Sequence, residues 1–242
     1  MKNSFSIIIP AYKDDKFIEE TIGDLIYECR QNLLDFELIV VIDKAPDDKT
    51  FEIVNNLSKI HCEINIISRE KKEGVSSAIQ DGINNARNDV LIITIAGNHI
   101  NANDVILLAK KMDEGFDMVF GDRFTQGIRI PKYPITKLIA NRLCNFVIML
   151  LFGIKSNDVT SGIKAYKTSL LKNIPFQSIG FEIFVELPIT VFLNGNSNIG
   201  IVPITLHERD VMYSHFDLMH ESPRYVKTIF KLFFQKIKKQ LF

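Results

Sequence analysis

The segment Glu37–Ile42 (ELIVVI), running into the turn-rich DKAPDDKT that ends at Thr50, decides how this chain is read. A short unbroken apolar run stopped by Asp, Pro and paired acids reads as a strand covered on both faces that empties into a loop. Working outward, Ser6–Pro10 (SIIIP) repeats the pattern upstream. Between the two, Ile18, Ile22, Leu25, Ile26, Cys29 and Leu33 recur at helical spacing and predict one apolar stripe on a polar helix. Downstream, Thr50–Leu57 reads as a short helix with Phe51, Val54 and Leu57 inward, and Ile64–Ser68 as a third strand. Val75, Ala78, Ile79, Ile83 and Ala86 mark a helix opening at Gly74, Val90–Ile95 a fourth strand and Met118–Gly121 a fifth. Strands alternating with helices predict an α/β, Rossmann-like fold: a mostly parallel sheet with right-handed crossovers and helices on both faces. Ligands bind such sheets beyond the carboxyl ends of the strands.

The second half is less regular. Ile135–Phe152 reads as a helix whose apolar stripe widens to a full apolar run at Phe146–Phe152. Residues 156–166 (SNDVTSGIKAY) form a polar loop leading into a strand-like piece. Phe181–Leu193 reads as a helix that Pro188 should kink or stop, and Ile199–Leu206 as a strand. From Arg224 to Phe242 runs a basic, aromatic, amphipathic helix without an acidic residue. Two units are expected: residues 1–216 as the α/β domain and 217–242 as this C-terminal helix.

Composition excludes several classes. The 242 residues hold 29 Lys+Arg against 29 Asp+Glu, with 46% apolar and 24% charged residues, so disorder is excluded and nothing points to nucleic acid. No apolar run reaches the ~20 residues of a spanning helix, and no signal peptide precedes Pro10, so a cytoplasmic location is expected. Cys29, Cys62 and Cys144 read as buried thiols in a reducing compartment.

Chemistry is sought at the strand ends. Asp43, Asp47 and Asp48 follow the second strand, where a carboxylate can accept from a base or ribose; taken alone, the segment reads first as a solvated loop with Asp48 or Thr50 capping the next helix. Gly74 opens a helix whose N-terminus favours anions, with Lys71 or Lys72 beside it for a diphosphate. After the fourth strand, IAGNHINAND supplies only Asn98 and the more distant Asp104 as hard oxygen ligands, with His99 as a softer one. Asp158 in NDVTSGIKAY reads as a general base, an orienting acid or a turn residue. Arg209 and His215 in HERDVMYSHF are phosphate-binding candidates or an exposed ion-pair cluster. The tail's cations, interleaved with Phe and Ile, suit either a membrane interface or a helix docked on the core with its lysines in water.

Taken in order, SIIIPAYK, VIDKAPDDKT, EGVSSAIQDG, GDRF, DVTSGIKAY and VPITLHER resemble the family 2 glycosyltransferases, and most of all the dolichyl- or polyprenyl-phosphate sugar transferases. The resemblance spans roughly residues 4–216. It implies a GT-A fold, a nucleotide-sugar donor, inversion at the anomeric carbon and a polyprenyl-phosphate or glycan acceptor at the cytosolic face of a membrane. It places Pro10, Tyr12, Asp43, Lys72, Gly74 and Asn98 at the nucleotide sugar. Asp158 and Arg209 fall at the reacting groups, and Arg123, Arg209, Ser214 and His215 at the acceptor. Two positions depart from the pattern. The second acid of the paired-Asp loop is Lys44, and the metal-binding Asp-x-Asp falls on Ala96-Gly97-Asn98, which leaves Asn98 as the one metal ligand for Mg2+ or Mn2+. Either that cation, held by Asn98 and the diphosphate, or protein cations among Lys44, Lys72, Arg123 and Arg209 would neutralise the leaving diphosphate. A transferase is the leading expectation. A nucleotide-sugar-binding protein without turnover is the alternative, and a nucleotidyltransferase ranks behind both for want of a triphosphate loop.

Overall fold

The computed structural model describes residues 2–71, 73–95, 101–125, 134–172, 174, 176–195, 198–205 and 217–241. Seven strands form one sheet: β1 Ser4–Ala11, β2 Asp35–Asp43, β3 Ile64–Arg69, β4 Val90–Ile93, β5 Met118–Asp122, β6 Lys164–Lys167 and β7 Ile199–Pro203. Their spatial order is β3-β2-β1-β4-β6-β5-β7. β6 runs antiparallel to both neighbours, β4 and β5, and every other pairing is parallel. The α/β expectation therefore holds.

Alternation along the central strands feeds two apolar layers, as period-2 geometry requires. Phe5, Ile7 and Ile9 of β1 and Leu38, Val40 and Ile42 of β2 pack with α1 (Ile18–Gln31), α2 (Thr50–Ser58) and α4 (Ala102–Asp113). Ile8, Ile39 and Val41 face the other way, onto α3 (Val75–Asn85), α5 (Ile135–Phe152), α6 (Ile183–Gly195) and α7 (Leu218–Leu241). α3 lies so close to β1 that a Cβ on Gly82 would meet the Ile8 side chain at 2.6 Å.

Several expectations change. α1 ends at Gln31, and Leu33 follows in a left-handed turn at φ 54, 84% exposed, so it leaves the stripe. β4 stops at Ile93, two residues early, and α4 was not foreseen. α6 continues through Pro188 to Gly195. α7 begins at Leu218, a turn and a half before Arg224. Of the cysteines, Cys29 is buried and Cys144 half-buried, but Cys62 is exposed.

α7 docks on the domain. Ile229 and Leu232 are buried, Phe233 meets Phe152 edge-on at 6.4 Å, and the Tyr225 hydroxyl donates to the Phe181 carbonyl. Its cations are largely engaged. Lys236 and Lys239 donate to the carbonyls of Leu151 and Leu193, completing the last turns of α5 and α6, while Lys231 meets Gln177 and Glu186.

Candidate active site

A cavity of about 960 Å3 opens beyond the carboxyl ends of β1, β2 and β3. Pro10, Tyr12, Asp43 and Gly74 line it, four of the six positions assigned to the nucleotide sugar. Arg123 and Thr160 line it as well. Lys72, Asn98, Arg209, Ser214 and His215 lie outside the described residues.

Asp43 is fixed on both sides. One carboxylate oxygen stands 2.6 Å from Arg69 Nε, and the other accepts from the backbone N–H groups of Glu73 and Gly74. Arg69, at the end of β3, also donates to Ser77 and to the Gly74 carbonyl. Both side chains are almost wholly enclosed, at 7% and 5% exposure. Arg69 was not singled out from the sequence, where it reads as the first member of the charged run REKKE. Lys44, a candidate cation, does not reach the cavity lining: its ammonium bonds Glu70 at 2.8 Å and covers the Phe51 ring. Asp48 accepts from Thr50 N and Lys13 N, so it ties the β2 exit to the β1 exit.

Gly74 has φ 95, and a Cβ there would stand 2.8 Å from the Ile179 carbonyl oxygen. Gly74→Ala is expected to destabilise by about 2 kcal/mol, since left-handed strain and a backbone clash add. A urea titration checks this, and an unchanged midpoint would contradict it.

Asp158 sits at 0% exposure and does not line the cavity. Its link to the cavity is through Arg123, which does line it. Its oxygens receive Arg123 Nε at 2.6 Å, Nη2 at 2.7 Å and backbone N at 3.1 Å, with Thr160 Oγ1 donating as well. Burial pushes the Asp158 carboxyl up, but the Arg123 charge and these hydrogen bonds outweigh it and hold the group below the usual range. A carboxylate so engaged orients Arg123 and does not take up protons near neutrality.

Behind this pair lies Lys164, a buried lysine that sequence reading passed over. Its ammonium donates to the carbonyls of Ser161 and Phe184, between the rings of Phe120 and Phe184. Burial lowers its pKa to about 7, against an opposing pull from Asp158. The unfolded chain thus holds this proton up to about pH 10.5 while the folded chain loses it near 7. Stability is expected to rise by about 2 kcal/mol from pH 7 to 9, where the unfolded state binds more protons. Above pH 9 the thiols of Cys29 and Cys144, raised by burial to about 12 and about 11, oppose the rise because the folded state keeps their protons. Denaturant titrations across this range check the sign, and Lys164→Met should flatten the rise.

No group of three or more His, Cys, Asp or Glu gathers among the described residues. Asp104, the more distant oxygen donor, is buried and accepts from Thr205 N, pinning the end of β7 to α4. Asp122 is likewise buried, accepting from Phe124 N. Among the described residues, then, no carboxylate metal site is composed.

Much of the cavity's remaining wall is apolar, with Leu143 and Val147 from α5, Phe181 and Phe184 before and within α6, and Ile229 and Phe230 from α7, beside the polar Lys137, Asn141, Glu221, Ser222 and Arg224. Leu143, Val226 and Phe230 line it while more than half exposed, so the cavity opens between two apolar helix faces.

The model for glycosyl transferase family 2 matches residues 6–175. The chain belongs to that family. Among curated relatives, a dolichol-phosphate mannosyltransferase of Pyrococcus furiosus is 28% identical over 184 residues, 75% of this chain and 51% of that protein. The chain thus spans about half of that relative's length. A polyprenol monophosphomannose synthase of Mycolicibacterium smegmatis is 24% identical over 212 residues, 85% of this family 2 chain and 78% of the relative. Among solved structures, glucosyl-3-phosphoglycerate synthase of Mycobacterium tuberculosis, in complex with Mn2+, UDP and phosphoglyceric acid, superposes with TM-score 0.71 at 22% identity, covering 96% and 79% of the two chains. The fold is GT-A, as the motif order implied.

Proposed function

We propose that this family 2 protein transfers a sugar, with inversion, from a nucleoside-diphosphate sugar to a phosphate carried on a polyprenyl lipid at a membrane surface. One observation carries the reading: a single cavity joins the Asp43–Arg69–Gly74 cluster and Arg123 to exposed apolar lips at Leu143, Val226 and Phe230. A soluble sugar acceptor has no use for such lips, whereas a prenyl chain does. The names of the Pyrococcus and Mycolicibacterium relatives point the same way.

Chain residues supply binding and orientation. Gly74 lets the backbone approach the donor at the start of α3, whose N-terminal N–H groups favour its diphosphate. Asp43, fixed by Arg69, presents a rigid edge to the nucleoside. Arg123, oriented by Asp158, faces the acceptor phosphate. That phosphate, mostly dianionic at neutral pH, is itself the nucleophile, so no general base is required. With Ala96-Gly97-Asn98 in place of two carboxylates, a divalent cation on the donor would have Asn98 as its protein ligand.

The surface fits an interfacial seat. α5 exposes Ile139, Leu143, Phe146 and Leu150 at helical spacing, and α7 exposes Val226, Phe230 and Phe234. α5 is the one described helix long and apolar enough to cross a membrane, yet Asn141, Arg142 and Asn145 on its other face bond protein groups, which suits lying flat on the bilayer. The test is label transfer from a panel of nucleotide sugars to polyprenyl phosphate. The expected product extracts into organic solvent with release of nucleoside diphosphate. Tight donor binding with no product over the panel would instead favour the non-catalytic alternative.

A further inference from the structure

α5 is built the wrong way round for a helix on a globular protein. Its outward stripe is apolar, while only Asn145, Ile148 and Phe152 are buried, and none of these lies in its first ten residues. The contact of that first half with the 156–161 loop is polar. Asn141 Nδ2 donates to Thr160 Oγ1 at 2.6 Å, and Arg142 donates to the Asn157 carbonyl at 2.6 Å and to Asn141 Oδ1 at 2.7 Å. One turn on, Asn145 Oδ1 accepts from Val159 N at 2.6 Å, while its amide donates back to Asn141.

Thr160 is the junction of this network. Its hydroxyl donates to Asp158 Oδ1 and accepts from Arg123 Nη2 at 3.3 Å, so one oxygen touches α5, Asp158 and Arg123. We propose that Asn141 and Thr160 are positioning residues, a relay through which α5 sets where the Arg123 guanidinium stands in the cavity. The proposal rests on the reading of Arg123 as the acceptor-phosphate cation. It adds that the helix presenting an apolar face outward also aims that cation, so the seat of α5 and the grip on phosphate are coupled.

The relay makes a demand that mere structural support does not. If Asn141 and Thr160 act through Arg123, their loss must cost nothing once Arg123 is gone. The experiment titrates the full chain calorimetrically with a short prenyl phosphate in detergent and, separately, with a nucleoside diphosphate. Asn141→Ala and Thr160→Val should each weaken the prenyl phosphate by about tenfold, the loss of roughly one hydrogen bond to a charged group, and leave the nucleoside diphosphate within about twofold. Thr160→Ser, which keeps the hydroxyl, should restore binding. In an Arg123→Ala background neither substitution should weaken binding further. Equal losses with and without Arg123, or no loss in either variant, would overturn the relay. Should the unaltered protein ignore prenyl phosphate, the acceptor reading falls by itself. The Arg123 Nε–H resonance in guanidinium-detected NMR then decides the relay without ligand: faster exchange in both variants upholds it, and an unchanged resonance overturns it.

Discussion

Asp158→Ala should lower stability by about 3–5 kcal/mol and abolish transfer, the larger of the two strongest effects expected here. The carboxylate is fully enclosed and receives three N–H groups of Arg123, itself 16% exposed. Removing it strands a guanidinium beside Lys164, so two cations lose their common counter-charge. Asp158→Asn keeps the shape and accepts one of the three bonds, so it should cost less stability but still release the Arg123 fork. Urea titration of both variants, read beside transfer, separates the effects. Near-native stability in Asp158→Ala would mean that Arg123 is held by other partners.

The second large effect concerns the donor side. Asp43→Ala takes the nearest carboxylate from buried Arg69, leaving it Asp81 at 3.3 Å and Glu73 at 3.9 Å, and unties the N–H groups of Glu73 and Gly74. A loss of about 2–3 kcal/mol is expected, because Asp81 and Glu73 still offset part of the Arg69 charge, together with loss of nucleoside diphosphate binding. Exchanging both partners for apolar residues of similar volume, Asp43→Leu with Arg69→Met, should recover much of the stability, because no charge is then stranded. Binding should not return. A double variant that is stable and binds normally would show that the pair serves the fold alone.

The sheet was legible because its strands are covered on both faces and so read as unbroken apolar runs, as in Ile7–Ile9 and Leu38–Ile42. α5 was legible to its boundaries, since eighteen residues of helical pattern lie between Pro134 and Gly153. α4 was not, because its start merges with the polar INAND segment. Leu33 fits the helical period but lies past the end of α1, where a left-handed turn throws it outward.

At the site, Pro10, Tyr12, Asp43, Gly74 and Arg123 were found from motif order and do line one cavity. What no spacing conveys is which charges neutralise one another. Asp158 and Arg123 are 35 residues apart, and only the antiparallel return through β6 sets them together. Lys164 was passed over because a lysine in the short KAYK strand reads as a solvent-facing residue; the antiparallel position between β4 and β5 turns it inward. Arg69 was hidden in a charged run for the same reason. A sequence shows charge but not its burial.

The most direct test is a crystal structure of the protein with a nucleoside diphosphate and a short prenyl phosphate together. The nucleoside should lie against Asp43 and Gly74, the lipid phosphate within hydrogen-bond reach of Arg123, and the prenyl chain between Leu143 and Phe230. A lipid phosphate bound away from Arg123, with that apolar passage empty, would contradict the claim that one cavity serves both substrates.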